Sequence, residues 1–325
     1  MRILSGIQPT DSIHIGGYLG AIKQWVELQS KGECIFFIAD LHALTVPQDP
    51  KTFSQKTLET AVELLSSGLD PEKCVIFAQS QVKEHAELTW ILNTITPIGE
   101  LERMIQYKEK SKQFKDSVNV GLLDYPVLQA ADILLYQIDS VPVGKDQAQH
   151  LELTKTIAEK FNQKYGKTLK VPEALVLGIG GKIMALNDPL KKMSKSSPET
   201  CLFLFDEPEI IKKKIMTAVT DTGKTIKYDL VKKPGISNLL TIYSLFSGEP
   251  IKELEKKFAA KGYADFKKHL AAMLIEKLEP FRRKKKELMQ REVYIKEILE
   301  RGRKRAEIIA QATMLEVRQK VGLLV

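Results

Sequence analysis

Glu33-Cys34-Ile35-Phe36-Phe37-Ile38-Ala39 holds six consecutive apolar residues behind one glutamate. No alternation marks a wetted face, and the run is too short for a typical helix. It reads as a parallel strand covered on both sides. Outward from it the same pattern recurs. Arg2-Ile3-Leu4-Ser5 precedes it as a short strand, and Cys74-Val75-Ile76-Phe77-Ala78 follows it as a third. Between the first two, Ile15, Leu19, Ile22 and Val26 recur at helical spacing, predicting a helix over 15–28. Between the second and third, residues 52–69 are helix-like, with Gly68 and Asp70-Pro71 as a stop, and 82–95 is helical again. The β-α-β-α-β order predicts an α/β fold, a doubly wound parallel sheet with right-handed crossovers. Such sheets bind ligands at the carboxyl ends of their strands. His14-Ile15-Gly16-Gly17 follows the first strand and Asp40-Leu41-His42 the second, so both fall where a site should form.

From Glu207 onward the pattern changes to helices and turns, punctuated by Lys233-Pro234-Gly235 and Ser247-Gly248-Glu249-Pro250. A boundary is expected near 197–206, dividing residues 1–200, a Rossmann-like catalytic domain with a helical insertion, from 201–325, an all-helical domain. The stretch after Glu287 is expected to return to the first domain. Charge divides the same way. Residues 201–325 hold 27 Lys/Arg against 17 Asp/Glu, whereas residues 1–200 hold 22 against 24. The positive excess therefore lies in the last part, which suits a phosphate backbone. No run of eighteen apolar residues predicts a membrane span. Cys34, Cys74 and Cys201 form no CxxC pair, so neither a protein-held metal nor redox chemistry is expected. Three reduced thiols and the lack of a signal-peptide pattern in the opening residues predict a cytoplasmic protein.

Several residues suit phosphate or ring chemistry. Glycines opening a helix let a large ligand approach, and the unpaired N–H groups there favour anions, with His14 a further donor. Lys192-Met193-Ser194-Lys195-Ser196 sets two ammonium groups among small hydroxyls, a pattern that grips a polyanion. Gly144-Lys145-Asp146-Gln147 follows the strand-like Asp139–Val143, where Gly144 permits close approach to a ribose and Asp146 can accept from its hydroxyls. Tyr125, Gln129 and Asp132 share one face of a helix that Pro126 is expected to start. Asp132 stands in the apolar run Ala130–Leu135, where a carboxylate requires a donor. Gly178-Ile179-Gly180-Gly181-Lys182 imitates a phosphate loop but lacks its first glycine and its hydroxyl residue.

Taken together, the His14–Gly17 and Lys192–Ser196 segments look like the HIGH and KMSKS signatures of class I aminoacyl-tRNA synthetases. The chain as a whole resembles the bacterial tryptophanyl-tRNA synthetases. The resemblance rests on Ser5–Pro9 with His14–Gly20, Gly99–Met104, Ala130–Tyr136, Val141–Gly144 with Asp146-Gln147, Lys191–Ser196, Ala218–Asp221 and Lys233–Leu240, in the family's order. It implies that tryptophan's carboxylate attacks the α-phosphate of Mg-ATP, pyrophosphate leaves, and the aminoacyl group passes to the terminal ribose of tRNA(Trp). With no enzyme nucleophile, positioning and electrostatics supply the rate. By position, Gln8, Pro9, Thr10, His14, Gly16, Gly17, Gly144, Lys145, Asp146, Gln147 and Ile183 would surround ATP. Lys192 and Lys195 would hold its phosphates with Met193, Ser194 and Ser196, and Lys110 is a further candidate. Lys192, Lys195, His14 and Gln8 would carry catalysis. Asp132 would accept the indole N–H, with Tyr125, His42, Gln129, Val141, Val143 and Leu4 around the ring. The family also implies a homodimer, Mg2+ bound through ATP, and a helical anticodon-binding part.

Three positions depart from the family's pattern. Gly17 stands where Asn is usual, which removes a side-chain donor, and Gln129 and Leu4 replace a methionine and an aromatic of the amino-acid pocket. The tyrosyl enzymes share fold and chemistry, but SGIQP, AVTD and KPGISNLL point away from them. A small nucleotidyltransferase would lack the lysine signature. A tRNA-binding protein without catalysis would not need Lys192, Lys195, Asp132 and Asp146 together.

Overall fold

The structure, a computed structural model, describes residues 1–10, 12–113, 118–144, 147–175, 183–194 and 198–325. Five parallel strands, β1 (Arg2–Ile7), β2 (Glu33–Ile38), β3 (Cys74–Ala78), β4 (Ser140–Pro142) and β5 (Glu173–Leu175), form one sheet in the order β3-β2-β1-β4-β5. The chain winds outward through β2 and β3, then returns to place β4 and β5 on the other side of β1. The order of winding reverses between β1 and β4, where an open α/β sheet has its ligand crevice.

The helices are α1 (Ile15–Gly17), α2 (Lys23–Leu28), α3 (Asp40–Ala43), α4 (Phe53–Ser66), α5 (Glu84–Asn93), α6 (Ile98–Glu102) and α7 (Ile105–Gln113). They continue with α8 (Val120–Leu134), α9 (Ala148–Tyr165), α10 (Pro208–Thr217), α11 (Pro234–Ser247), α12 (Ile251–Lys257), α13 (Tyr263–Met289) and α14 (Glu292–Val321). A π turn over Tyr18–Ile22 joins α1 to α2. The helix expected to start at Pro126 instead starts at Val120. Asn119 caps it, its Oδ1 accepting from Leu122 N at 2.9 Å, and a cap this well formed starts the helix a turn and a half before the proline. No helix among the described residues is long and apolar enough to cross a membrane.

Alternate strand residues feed two cores. Ile3, Cys34, Phe36, Ile38, Cys74 and Ile76 pack with α4 and with residues of α10–α13, while Leu4, Ile35, Phe37, Val75 and Phe77 pack with α5, α8 and α9. Helix α14 belongs to both. Ile295, Ile298 and Leu299 join the first core, and Ala306, Ala310, Met314 and Val317 join the second. Between them the helix crosses β3, the sheet's edge strand, at Gly302. A Cβ there would lie 1.8 Å from Ile76 O, so only glycine permits the crossing. Arg305 Nη1 donates to Cys74 O at 3.4 Å. Edge strands expose unpaired backbone groups that recruit other chains, and α14 covers this one.

Candidate active site

A cavity of about 290 Å3 opens at the β1/β4 crevice. Ser5, Gly6 and Gln8 line it from β1 and its exit, Ala39 and His42 from the end of β2, and Val141, Pro142 and Val143 from β4. Tyr125, Gln129 and Asp132 present one face of α8 to it. A Cβ on Gly6 would meet Phe37 Cζ at 2.7 Å, so the glycine lets the Phe37 ring lie across β1.

Asp132 is fully buried, and its carboxylate meets three donors. Its Oδ1 accepts from His85 Nδ1 at 2.6 Å and Gln79 Nε2 at 2.7 Å, and its Oδ2 accepts from His42 Nε2 at 2.7 Å. Burial pushes the carboxyl up, but the His42 and His85 rings outweigh it and hold the group down at about 2. An ionised carboxylate only accepts, so both imidazoles turn an N–H toward it. On its other side the His85 ring is hydrogen-bonded through Nε2 to the Tyr136 hydroxyl at 2.7 Å. Burial raises Tyr136 well above the usual phenol range, with Asp132 and Glu84 adding to the effect, so this hydroxyl keeps its proton. Tyr125 Oη lies 2.7 Å from His150 Nε2, and burial raises that phenol as well. Each carboxylate oxygen can accept two hydrogen bonds, so Oδ2 retains capacity for one N–H donor. The site thus combines an apolar ring slot with one charged, oriented acceptor.

On the neighbouring side, His14 caps α1, its Nδ1 accepting from Gly17 N at 3.1 Å. That bond places a proton on Nε2 of the neutral ring. A Cβ on Gly16 would sit 3.1 Å from the His14 ring and 3.4 Å from Ile183 Cβ, so the three pack as one unit. The segment around His14 is hydrogen-bonded to the chain beyond the lysine signature: Ile15 N donates to Leu202 O at 2.9 Å and Leu204 N to Ile13 O at 2.8 Å. The stem of the lysine signature is a short hairpin. Met193 N donates to Ile183 O at 3.0 Å and Ala185 N to Lys191 O at 2.8 Å, which pairs Met184 with Lys192. Met193 and Ile183 are buried, whereas Lys192 and Ser194 are exposed.

The structure brings Leu4, His42, Tyr125, Gln129, Asp132, Val141 and Val143 into one cavity, with Gln8 and Gln147 in the same lining. His14, Gly16 and Ile183 form the adjoining unit. Pro9 and Thr10 leave the end of β1, Gly17 ends α1, and Gly144 O accepts from Gln147 N at 3.0 Å. Lys145, Asp146, Lys195, Ser196 and the Gly178–Lys182 loop lie outside the described residues, as does the side chain of Lys110. Sequence reasoning missed Gln79, His85 and Tyr136. Gln79 follows β3 directly, where a strand-end search would find it. His85 sits on the apolar face of α5, among Leu88 and Leu92, and carries no comparable signal.

The family tRNA synthetases class I (W and Y) matches residues 1–279. The tryptophan–tRNA ligase of Caldanaerobacter subterraneus subsp. tengcongensis is 50% identical over 325 residues, covering 99% of this chain and 98% of that protein. The tryptophanyl-tRNA synthetase of Campylobacter jejuni, solved with ADP and tryptophan, superposes with a TM-score of 0.86 at 39% identity, over 99% of this chain and 100% of that one. The Mycoplasma pneumoniae tryptophanyl-tRNA synthetase gives a TM-score of 0.89 at 36% identity, over 99% and 98%.

Proposed function

The chain belongs to the class I tRNA synthetases for tryptophan and tyrosine, and on that footing we propose that it activates L-tryptophan with ATP and transfers it to the 3′-terminal ribose of tRNA(Trp). The observation that carries the choice of amino acid is the ionised, fully buried Asp132 lining an apolar cavity, with Oδ2 able to accept one further N–H. An indole N–H meets that need. A phenol can also donate there, so the 50% identity to a tryptophan–tRNA ligase weighs beside the geometry.

In this reading Leu4, His42, Tyr125, Gln129, Val141 and Val143 hold the indole, while Gln8 and Gln147 face the polar end of the amino acid and the ribose. The Nε2–H of His14 and the N–H of Gly16 donate to phosphate oxygens. Lys192 and Lys195 stabilise the charge that grows as pyrophosphate leaves, supported by Met193, Ser194 and Ser196. Pro9, Thr10, Gly16, Gly17, Gly144, Lys145, Asp146 and Ile183 shape the nucleotide subsite, with Lys110 adding a cation. Asp132 is the one carboxylate among the described lining residues, and it is committed to two histidines and a glutamine. Mg2+ is therefore assigned to the ATP phosphates and not to a protein cage.

The remaining proposals rest on surfaces and composition. Residues 1–200 act as the catalytic unit and 201–325 as the anticodon-binding unit, whose positive excess suits tRNA. A homodimer suits the apolar groove where Leu44 and Trp90 are 56% and 73% exposed. A cytoplasmic location suits three buried free cysteines. Isotope exchange between ATP and pyrophosphate tests the activity. It is expected to require tryptophan and to ignore tyrosine. Exchange with tyrosine alone, or no exchange with any amino acid, overturns the reading.

A further inference from the structure

In an antiparallel pair that exchanges no hydrogen bond with its opposite residue, each backbone N–H and C=O points outward. Met184, opposite Lys192, is such a residue, because the flanking bonds run from Met193 N to Ile183 O and from Ala185 N to Lys191 O. Its outward groups meet one side chain. Met184 N donates to Asn238 Oδ1 at 2.9 Å, and Asn238 Nδ2 donates to Met184 O at 3.0 Å. Asn238 is 5% exposed and stands in the second turn of α11, so its carboxamide takes the place of a third strand along the hairpin. The same outer edge continues through Leu186, whose O accepts from Val219 N at 2.8 Å. Helix α11 is seated against that segment, where a Cβ on Gly235 would lie 2.3 Å from Val219 O.

We infer that Asn238 is a positioning residue for amino-acid activation: it fixes the outer arm of the lysine hairpin to α11, so that Lys192 on the inner arm is presented to the departing pyrophosphate. This rests on the proposed function. Only an amide both donates and accepts across that two-bond contact, which a carboxylate of the same shape cannot do. Asn238 touches no reacting atom and acts through the backbone of Met184.

Asn238→Asp keeps the size of the side chain and sets an oxygen against Met184 O. The expected result is a fall in the kcat of tryptophan-dependent ATP–pyrophosphate exchange of about tenfold, the scale of one lost hydrogen bond. Tryptophan binding, measured by equilibrium dialysis without ATP, should stay within about twofold, well under the change that one lost hydrogen bond produces. In a Lys192→Ala background the same substitution should have little further effect, because two residues acting through one element are not additive. Equal losses in exchange and tryptophan binding, or losses that multiply with those of Lys192→Ala, overturn the inference, as does wild-type exchange in Asn238→Asp. Hydrogen exchange at the Met184 amide reads the contact independently of any substrate. It should be slow in the wild-type chain and fast in Asn238→Ala, and equal rates in the two also overturn the inference. Absence of exchange by the wild-type enzyme with tryptophan would instead refute the proposed function, leaving the amide measurement to judge the contact.

Discussion

His85→Phe tests whether the Asp132 carboxylate is held by its surroundings. His85 packs against Phe37, Phe77 and Tyr136, with ring centroids 6.0, 6.0 and 5.4 Å away, so a phenyl ring suits the space. Two polar contacts vanish: the Nδ1 donor to Asp132 and the Nε2 partner of the Tyr136 hydroxyl. A hydrogen bond to a charged group contributes about 1.5–3 kcal/mol, and a buried hydroxyl left unpaired costs a further ~1–3 kcal/mol. Set against the apolar gain, the net loss should be about 3 kcal/mol, which lowers Tm by on the order of 6 °C. The pH dependence carries the sharper sign. The Asp132 carboxyl is held at about 2 against an ordinary 3.8. A carboxyl depressed in the folded state stabilises above its unfolded value and loses that contribution as pH falls toward the folded one, here an interval equivalent to about 2 kcal/mol. In the variant, burial faces fewer donors and the carboxyl rises. The stability gap between wild-type and variant chains should therefore be widest above pH ~4 and close toward pH ~2. Thermal unfolding across that range measures it, alongside the KM for tryptophan, which should rise. A gap constant from neutral pH to pH ~3, or an unchanged Tm, would refute the reasoning.

Gly302→Ala places a methyl group against Ile76 O, a backbone atom that no rotamer change can move aside. It should destabilise the chain by about 1–3 kcal/mol or more and promote aggregation, read by Tm and light scattering, and a neutral result would mean that α14 does not cross β3 at this point. Lys267 is buried and donates to Ala218 O at 2.6 Å and Met216 O at 3.3 Å, closing the carboxyl end of α10. Lys267→Met should lower Tm by the equivalent of roughly 1–3 kcal/mol, whereas the exposed Lys268→Met should leave it unchanged.

The sheet was legible because β1, β2 and β3 are continuous apolar runs whose flanking helices keep a 3.6-residue period. Strand β5 was not: Glu173 and Ala174 are exposed and Leu175 half-buried, so no apolar run announces the short edge. The start of α8 differs because proline suits a first turn, while Asn119 seven residues earlier caps the helix more directly. The ring slot was legible from the Tyr125, Gln129 and Asp132 spacing, which one helix face dictates. The donors Gln79 and His85 were not, because they reach Asp132 from the turn after β3 and from α5 through the tertiary fold. Nor does any local pattern announce that Ile13–Ile15 hydrogen-bonds with Leu202–Leu204, nearly two hundred residues away.

The seating of α14 over β3 also bears on how the protein is made. Some two hundred residues separate Ala78 from Glu292. At about 5–20 residues per second, a ribosome needs on the order of ten to forty seconds to supply the helix that covers that strand. Throughout that interval a nascent chain with β1–β3 already made has the outer edge of β3 bare, a template for pairing with other growing chains. For this fold, slowing translation beyond Gln79 should increase the demand for chaperones, even though the finished enzyme has that edge covered.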